Sequence, residues 1–445
     1  MQARICEGKS HKQRLLERLT AILHWAHLTP SQMDMRLLAI LTFAMLLSPA
    51  FAADQALPPI HDGSVVEGPG RFRHDGELKI SGHVSLRNFS LDLRGPITVD
   101  AGATLELTDV HLLVSDPPGA ANGTSGLHCL GAAHIKIQDS TMEPVGSGHP
   151  MWGLKGDIEV SNFQTKNSEF HLDHVQARLD RLKIFELEIS RGSHVLGNHL
   201  DLVFLSTHSG DDDHLQIADI PTEVSFSKTL SLGSGAQADL KDARVQLFLI
   251  YVHGHSEVAL SRMGRVQLAM FPQCRGTLRL PNGQLGSETS PIEIPARGAS
   301  DCPFRFTLNQ VHVDTWDVYA NGKADLTFDN SRIDELVLNE DARITVRNSE
   351  LFADWLGVAG NAQLTVKDST VGALRLAKQR PDLATSQVRL SGHSRGVFSK
   401  VRFDCGIVAG DEAMVEIDHA VVPPKYVRRS GNAVVRSDKK ESESR

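Results

Sequence analysis

Three segments between Ala324 and Val371 repeat one pattern of hydrophobic and polar positions. They are Ala324–Ile333, Ala342–Leu351 and Ala362–Val371, and their first residues lie 18 and 20 positions apart. Each begins with alanine, continues with an apolar-threonine-apolar alternation, and then has an Asn-Ser or Asp-Ser step before another apolar residue. A repeat this short cannot hold an independent domain, so each copy is predicted to be one coil of a solenoid.

The alternation in each copy predicts a short β-strand. Side chains alternate across a strand, so Leu326 and Phe328 share one face and Thr327 lies on the other. The asparagine or aspartate that follows tolerates left-handed backbone angles, which lets the chain turn a corner. Coils stacked about 4.8 Å apart pair their backbones and align their apolar residues. We therefore predict a parallel β-helix; the alternative is an antiparallel sandwich, although the Asn-Gly pairs typical of its hairpins lie outside the repeat units.

Related segments recur from Gly76 towards the end of the chain and predict one all-β domain over residues 53–430. The length of the coils gives about 13–16 of them. Residues 271–304 are rich in Pro, Gly and Ser, and we expect a loop excursion there that leaves the solenoid as a lid or lateral loop. Residues 431–445 are polar and predicted to be disordered.

Residues 33–52 have the pattern of a secretory signal peptide. A short start with Arg36 precedes the apolar run Leu37–Leu47, and an Ala-x-Ala end places cleavage after Ala52. The apolar run is too short for a lasting membrane span. Residues 1–32 are then either an upstream misreading or the cytoplasmic tail of an uncleaved anchor. We expect a secreted, periplasmic or cell-surface protein.

Net charge limits the possible binding partners of this chain, and its cysteines indicate the cellular compartment. The formal net charge of −8 gives no electrostatic case for binding nucleic acid. Cys274 and Cys302 bracket the excursion and are the natural disulfide pair in an exported chain, although two buried thiols are the alternative. Cys129 and Cys405 are expected to be buried as small apolar residues. No Cys-x-x-Cys pair exists, which excludes a zinc ribbon.

The repeat unit resembles that of right-handed parallel β-helix proteins, the superfamily of pectate lyases, polygalacturonases and many adhesin passengers. The resemblance covers most of Gly76–Val421 and implies a single-stranded, right-handed parallel β-helix. Polygalacturonase-like hydrolases carry Asn-x-Asp, Asp-Asp, Gly-His-Gly and Arg-x-Lys on successive coils. This chain has Asp211-Asp212-Asp213-His214 and His253-Gly254-His255, with no Arg-x-Lys coil after them. The resemblance therefore concerns the solenoid pattern and carries no catalytic signature.

Two polar clusters are candidate catalytic or metal-binding residues. The consecutive carboxylates Asp211, Asp212 and Asp213 can hold Ca²⁺ through oxygen ligands or act as acid and base on a glycosidic bond. The alternative is a charged, exposed corner. His253 and His255 follow an apolar run and share one face if the strand continues, where they can transfer protons or ligate a metal. Ordinary exposed histidines are the alternative, and apart from Ca²⁺ no cofactor is expected.

Other residues are candidates for binding an extended ligand. Trp316 lies between Asp314 and Asp317, an arrangement that suits stacking on a sugar ring, although tryptophan also fills the interior of wide coils. A flat lateral face that suits an extended polymer is lined by Thr327, Thr345 and Thr365.

These observations favour an exported β-helix protein whose lateral face binds or organises an extended polymer, most simply a polysaccharide, at the cell envelope. The alternative is a carbohydrate-active enzyme, namely a polysaccharide lyase, glycoside hydrolase or epimerase. The two differ in one geometric respect, because an enzyme needs its carboxylates and imidazoles to converge in a groove.

Overall fold

The computed structural model describes residues 55–116, 125–145, 150–210, 213–221, 224–232, 235–295, 301–372, 387–419 and 427–437. Residues 1–32, the signal-peptide pattern at 33–52, and Asp211 and Asp212 lie outside these ranges. One compact unit spans Ala56–Arg445. Every regular element in the described ranges is a β-strand, and no helix there is long and apolar enough to cross a membrane.

Most strand pairs are parallel, and the antiparallel pairs involve β15, β19 and β20 of the following series. In chain order the strands are β1 (Gln55–Ala56), β2 (Ser64–Glu67), β3 (Arg71–Asp75), β4 (Leu78–Ile80), β5 (His83–Arg94), β6 (Pro96–Val99), β7 (Thr104–Ser115), β8 (Gly126–Cys129), β9 (Ala133–Gln138), β10 (Thr141–Pro144), β11 (Met151–Thr165), β12 (Glu169–Ser190), β13 (His194–His208), β14 (His214–Ile220), β15 (Phe226–Leu232), β16 (Ala236–Val252), β17 (Glu257–Met270), β18 (Thr277–Arg279), β19 (Gly283–Leu285), β20 (Ile292–Ile294), β21 (Arg305–Ala320), β22 (Asp325–Asp329), β23 (Arg332–Leu338), β24 (Arg343–Arg347), β25 (Glu350–Val358), β26 (Gln363–Lys367), β27 (Thr370–Gly372), β28 (Gln387–Leu390), β29 (Arg395–Ser399), β30 (Arg402–Phe403), β31 (Gly406–Ala409), β32 (Met414–Asp418), β33 (Val427–Arg429) and β34 (Val434–Ser437).

The three repeated segments stack in register, as the sequence predicts. Leu326 of β22 pairs with Ile344 of β24, which pairs in turn with Leu364 of β26. Each of these side chains is at most 1% exposed. The recurring apolar positions therefore form a column in one continuous hydrophobic core that runs from Leu57 to Ile417.

The corners follow from the Asn-Ser or Asp-Ser step. Asn330, Asn348 and Asp368 have φ angles of 52°, 49° and 47°, which confirms the predicted left-handed conformation. The serine after each corner is buried and joins neighbouring coils, because the Ser349 hydroxyl accepts a hydrogen bond from the backbone N–H of Ser331 at 3.0 Å. Together the corner and the serine make each turn repeat the one below it.

The prediction that residues 271–304 leave the solenoid as a loop is wrong. The described part of this segment forms strands that pair with other strands of the sheets. Its strand β18 pairs in parallel with β22, while β19 and β20 pair antiparallel with β21. The reason is apolar alternation: Leu278, Leu285 and Ile294 are at most 4% exposed. The excursion is therefore an insertion that adds strands to the sheets.

A second insertion comes from β14 and β15. β15 pairs antiparallel with the first half of β16, and β14 pairs in parallel with the first half of β17. The second halves of the same long strands pair directly with one another, since Phe248–Val252 lie in register with Val266–Met270. Both insertions thus leave one ladder of strands uninterrupted.

That uninterrupted ladder is called the groove face. It consists of residues 186–190 of β12, 204–208 of β13, 247–252 of β16, 266–270 of β17 and 315–320 of β21. Alternate side chains such as Leu187, Leu205 and Trp316 enter the core and are fully buried. The side chains between them lie on the outer surface, where the candidate site is found.

Cys274 and Cys302 form a disulfide, and the side chains of Cys129 and Cys405 are buried, as predicted. The predicted disordered tail begins too early, because Val434–Ser437 pair with Met414–Ile417 and extend the stack. Residues 438–445 lie outside the described ranges. The all-β, mainly parallel arrangement is compatible with a β-solenoid.

Candidate functional site

An open groove lies where the groove face meets the first residues of β11 and β12. It holds about 580 Å³. Its titratable side chains come from passes of the chain that are neighbours in the stack, so residues far apart in sequence converge here. The lining residues are Met151, Gly153, Leu154, Lys155, His171, Asp173, Glu188, Ser190, Arg191, His208, Ser209, Gly210 and His253.

Imidazoles and carboxylates alternate in a connected chain along the groove. His171 Nε2 lies 3.4 Å from Glu169 Oε2, and His171 Nδ1 lies 3.0 Å from Glu188 Oε2. The other oxygen of Glu188, Oε1, lies 3.5 Å from His208 Nε2. His208 Nδ1 lies 3.4 Å from His253 Nε2. Five titratable side chains are thus linked without a gap.

Strand geometry places these side chains on the outer surface. Glu188 stands between the buried Leu187 and Ile189 on β12, so alternation turns its carboxylate outwards. It lies in register with Ser206 of β13, and His208, two residues further on, lies in register with Tyr251 of β16. Backbone pairing therefore fixes the spacing between Glu188 and His208.

Two buried serines hold His253 against the preceding coil. The backbone N–H of His253 donates to Ser209 Oγ at 3.0 Å, and Ser256 Oγ lies 2.9 Å from the same atom. Ser256 Oγ also donates to the carbonyl oxygen of Gly210 at 2.8 Å. Both serines are 1% exposed. His253 is therefore fixed at the rim of the groove although it lies beyond the end of β16.

Stacked rings support the two histidines at the rim. His208 stacks on Tyr251 with 4.3 Å between ring centroids, and His253 stacks on Phe271 at 4.2 Å. Phe271 stacks in turn on Tyr319 at 4.8 Å. Because the rings cover one another's faces, they restrict the imidazoles to one orientation rather than offering an open platform for a sugar ring.

The two groups at the centre of the chain form an ion pair. Burial lowers the pKa of His171, but hydrogen bonds and charges of Glu169 and Glu188 outweigh it and raise that pKa to about 10. Burial also raises the pKa of Glu188, but hydrogen bonds from His171 and His208 outweigh it and lower that pKa to about 2. At neutral pH His171 is an imidazolium and Glu188 a carboxylate.

Two further cations line the groove. Lys155 Nζ lies 3.3 Å from Asp173 Oδ2. Arg191 pairs with no carboxylate among the described residues. With the imidazolium of His171, these side chains bring three positive charges to the groove, and Glu169, Asp173 and Glu188 bring three negative charges. Arg191 is therefore the groove cation that can compensate the carboxylate of a ligand.

Two carboxyl groups in the groove face, those of Asp317 and Glu186, have raised pKa values. Burial raises the pKa of Asp317 to about 8, and the charges of Glu335 and Asp334 add to this effect while a hydrogen bond from Gln267 opposes it. Burial also raises the pKa of Glu186, against a hydrogen bond that Ser206 donates at 2.6 Å. These acids lie close to Tyr251, whose pKa is raised by burial first and by their charges second.

The acidic and histidine clusters singled out in the sequence reach different places. Asp211 and Asp212 lie outside the described residues. Asp213 is half-buried at the corner and accepts a hydrogen bond from the backbone N–H of Gly210. His253 and His255 do not share a strand face, because β16 ends at Val252 and Gly254 turns the chain with a φ of 53°. His253 lines the groove, whereas His255 is exposed and does not.

The Asp314–Asp317 cluster faces in two directions. Trp316 is fully buried and packs on Phe328 with 6.3 Å between ring centroids, so its ring has no face to offer to a sugar. Asp314 is engaged by Arg265 at 3.0 Å. Asp317 is on the groove face but only 6% exposed.

The predicted lateral face of threonines also exists as a set of in-register positions. Thr327 pairs with Thr345, which pairs with Thr365, and all three are half-buried on the outer side of β22, β24 and β26. This surface is on different strands from the groove, so the two candidate regions are separate.

Sequence reasoning missed His171 and Glu188. Both lie between residues 165 and 217, where the repeat pattern blurs, and each is a charged residue flanked by buried apolar ones. That local signal marks an outward position but not its neighbours. No group of three or more His, Cys, Asp or Glu side chains in the described part of the chain is arranged to hold a metal ion. The chain matches no protein-family model, no curated protein and no solved structure.

Proposed function

We propose that this protein is an exported, single-stranded, right-handed parallel β-helix that acts on an extended acidic polysaccharide in its groove. The observation that carries this proposal is the contact between two imidazoles, His208 and His253, in an open groove where His208 also contacts the carboxylate of Glu188. Such an arrangement suits proton transfer near neutral pH.

The proposed architecture rests on the strand pairing. Successive copies of the repeat lie on adjacent coils and pair directly in parallel, as β22, β24 and β26 do. A chain that returns in parallel to the same sheet almost always crosses in the right-handed sense. Both features support a right-handed helix of single-stranded coils.

Export is supported by two independent features. The disulfide between Cys274 and Cys302 favours an oxidising compartment. The pattern at residues 33–52, with Arg36 before an apolar run and an Ala-x-Ala end, is typical of a signal peptide. We propose the periplasm, the cell surface or the medium as the location.

Elimination is the reaction that suits these side chains best. Hydrolysis of a glycosidic bond requires a protonated carboxyl beside a carboxylate. The groove carboxylate Glu188 is held in its ionised form, and the protonated Asp317 is almost fully buried. An imidazole at the rim can instead take a proton from the carbon next to a uronate carboxylate, while Arg191 compensates the charge of that carboxylate.

The proposed step balances without a further reactant. A rim imidazole takes the proton from carbon 5 of the uronate, and that electron pair forms a double bond between carbons 4 and 5. The glycosidic bond between carbon 4 and its oxygen breaks, and the leaving oxygen takes up a proton from the groove or from solvent.

The test is a panel of acidic polysaccharides incubated with the purified chain, with ultraviolet absorbance recording unsaturated sugar ends. His208→Gln and His253→Gln should each lower the rate by about 100-fold or more. His255→Gln is the matched control, because this neighbouring imidazole is exposed and outside the groove. Reducing ends without unsaturation would replace elimination by hydrolysis, and cleavage that survives both groove variants would refute the proposed base.

Binding without catalysis is a second candidate, favoured by the in-register threonines. Thr327, Thr345 and Thr365 repeat a hydroxyl on each coil, which suits an extended polymer lying across several coils. Retention of an uncleaved polysaccharide, weakened by replacing these threonines with valine and unaffected by His253→Gln, would support this candidate over the first.

A further inference from the structure

The groove carboxylate Glu188 is shared by two imidazoles. Its Oε2 faces His171 Nδ1 at 3.0 Å, and its Oε1 faces His208 Nε2 at 3.5 Å. An ionised carboxylate only accepts hydrogen bonds. A ring nitrogen that turned its lone pair towards these oxygens would be repelled, so the two contacts are favourable only when both nitrogens carry a proton.

The second nitrogen of His171 is also defined. His171 Nε2 lies 3.4 Å from Glu169 Oε2, another acceptor. His171 therefore donates from both ring nitrogens and is an imidazolium. Its charge is fixed between two carboxylates, so His171 compensates negative charge and does not act as the base.

The protonated Nε2 of His208 determines the rest of the chain. When His208 is neutral, its Nδ1 carries a lone pair and can only accept. The atom that faces it, His253 Nε2 at 3.4 Å, must then be the donor. The protons thus point in one direction, from His253 Nε2 towards His208 and from His208 Nε2 towards Glu188.

We propose that Glu188 is a positioning residue that holds His208 as the Nε2–H tautomer and thereby prepares the His208–His253 pair to take up one proton. The use of that proton on a polysaccharide rests on the proposed function, whereas the proton positions rest only on the geometry. Glu188 contacts His171 and His208, and it acts on the pair through His208.

A proton added to the His208–His253 pair would balance the formal charges of the chain. Glu169 and Glu188 bring two negative charges and His171 one positive charge, so a neutral His208–His253 pair leaves the chain with one negative charge. One added proton makes the chain neutral. The resulting cation is close to Glu188 and stacked on Tyr251 and Phe271, whose ring faces attract positive charge.

Other charged groups around the pair do not replace Glu188. Lys155 is engaged by Asp173, and Glu186 accepts from Ser206. Asp213 accepts from the backbone of Gly210, while Asp317 accepts from Gln267. Among the described residues, Glu188 is thus the carboxylate that contacts both His171 and His208.

The test is nitrogen-detected NMR of the full chain labelled with ¹⁵N-histidine. Signals are assigned by their loss in His171→Gln, His208→Gln and His253→Gln. In the wild-type protein near neutral pH we expect His171 protonated on both nitrogens and His208 protonated on Nε2. A neutral His171, or a His208 protonated only on Nδ1, would overturn the proposal without any variant.

Glu188→Gln then tests the cause. It should move the titration of His171 down from about 10 towards its ordinary range and give His208 a mixture of tautomers. The matched control is Glu159→Gln, because Glu159 is an exposed glutamate 3.9 Å from Arg178 and outside the groove. Unchanged histidine titrations in a folded Glu188→Gln variant would refute the role of Glu188.

Kinetics separate this proposal from the proposed function. If a polysaccharide is cleaved, Glu188→Gln should lower kcat by about 100-fold with little change in KM and shift the pH profile of kcat. If NMR shows the expected protonation of His171 and His208 but no polysaccharide is cleaved, the proposed function is refuted and the proton positions stand. If the protein cleaves a polysaccharide but NMR does not show this protonation, only the role of Glu188 is refuted.

Discussion

The buried carboxyl of Asp317 makes the stability of this protein depend on pH in an unusual direction. Its side chain is 6% exposed, and its pKa is about 8 in the folded chain against an ordinary value of 3.8. A hydrogen bond from Gln267 engages only one of its oxygens, while Glu335 lies directly across in the next strand. The folded protein therefore holds a proton that the unfolded chain releases.

The sign follows from linkage between proton binding and folding. Between about pH 4 and about pH 8 the folded state binds this proton and the unfolded state does not, so the free energy of unfolding falls as the pH rises. The contribution is fully present below about pH 4 and lost above about pH 8. The difference between the two pKa values corresponds to a total of up to about 6 kcal/mol.

Asp317→Asn tests this reasoning, because the amide keeps the shape and an oxygen acceptor for Gln267 but has no titration. Urea unfolding should give wild type and variant similar free energies near pH 5, and the variant should be the more stable by several kcal/mol near pH 9. Asp239→Asn is the control, since that carboxylate is exposed. A difference between Asp317→Asn and wild type that stays constant across this range would refute the buried proton.

Three further experiments test the stacked architecture. Ile344→Ala should lower the free energy of unfolding by about 2–5 kcal/mol, because it removes the central side chain of an apolar column. Thr345→Ala, on the outer side of the same strand, should lower it by less than about 1 kcal/mol. Urea unfolding measures both. Asn348→Ala should cost about 1–2 kcal/mol and Asn348→Gly less, since alanine resists the positive φ at this corner; equal losses in thermal unfolding would contradict that account. Replacing both Cys274 and Cys302 with serine should cost about 2–4 kcal/mol, and a reductant should then have no further effect on Tm.

The repeated coils could be predicted because their signals are local. The alternation around Leu326 defines a strand, Asn330 defines the corner, and the spacing of the copies defines what lies above what. The burial of Trp316 could have been predicted in the same way, because Trp316, Val318 and Ala320 occupy alternate positions of one strand and all three are fully buried. Its flanking carboxylates suggested a surface role, but the alternation of the strand places its ring in the core.

The groove could not be predicted in the same way. The contact between His171 and Glu188 depends on a coil in the stretch where the repeat is blurred, and the register of His208 with Tyr251 spans the whole β14–β15 insertion. The local sequence does not show how many residues of an insertion lie outside the ladder of paired strands, so it does not predict which residues become neighbours. His253 was recognised from its sequence, but its partners were not.

The placement of both insertions explains how distant residues form one ordered site. The β14–β15 insertion pairs with the first halves of β16 and β17, and the disulfide-closed insertion pairs with β22 and with residues 306–313 of β21. On the groove face, Tyr251 still follows His208 directly and Val318 follows Met270. The spacing of the imidazoles is therefore set by backbone hydrogen bonds between adjacent strands. A substitution that loosens either insertion should lower stability while leaving the contact between His208 and His253 unchanged.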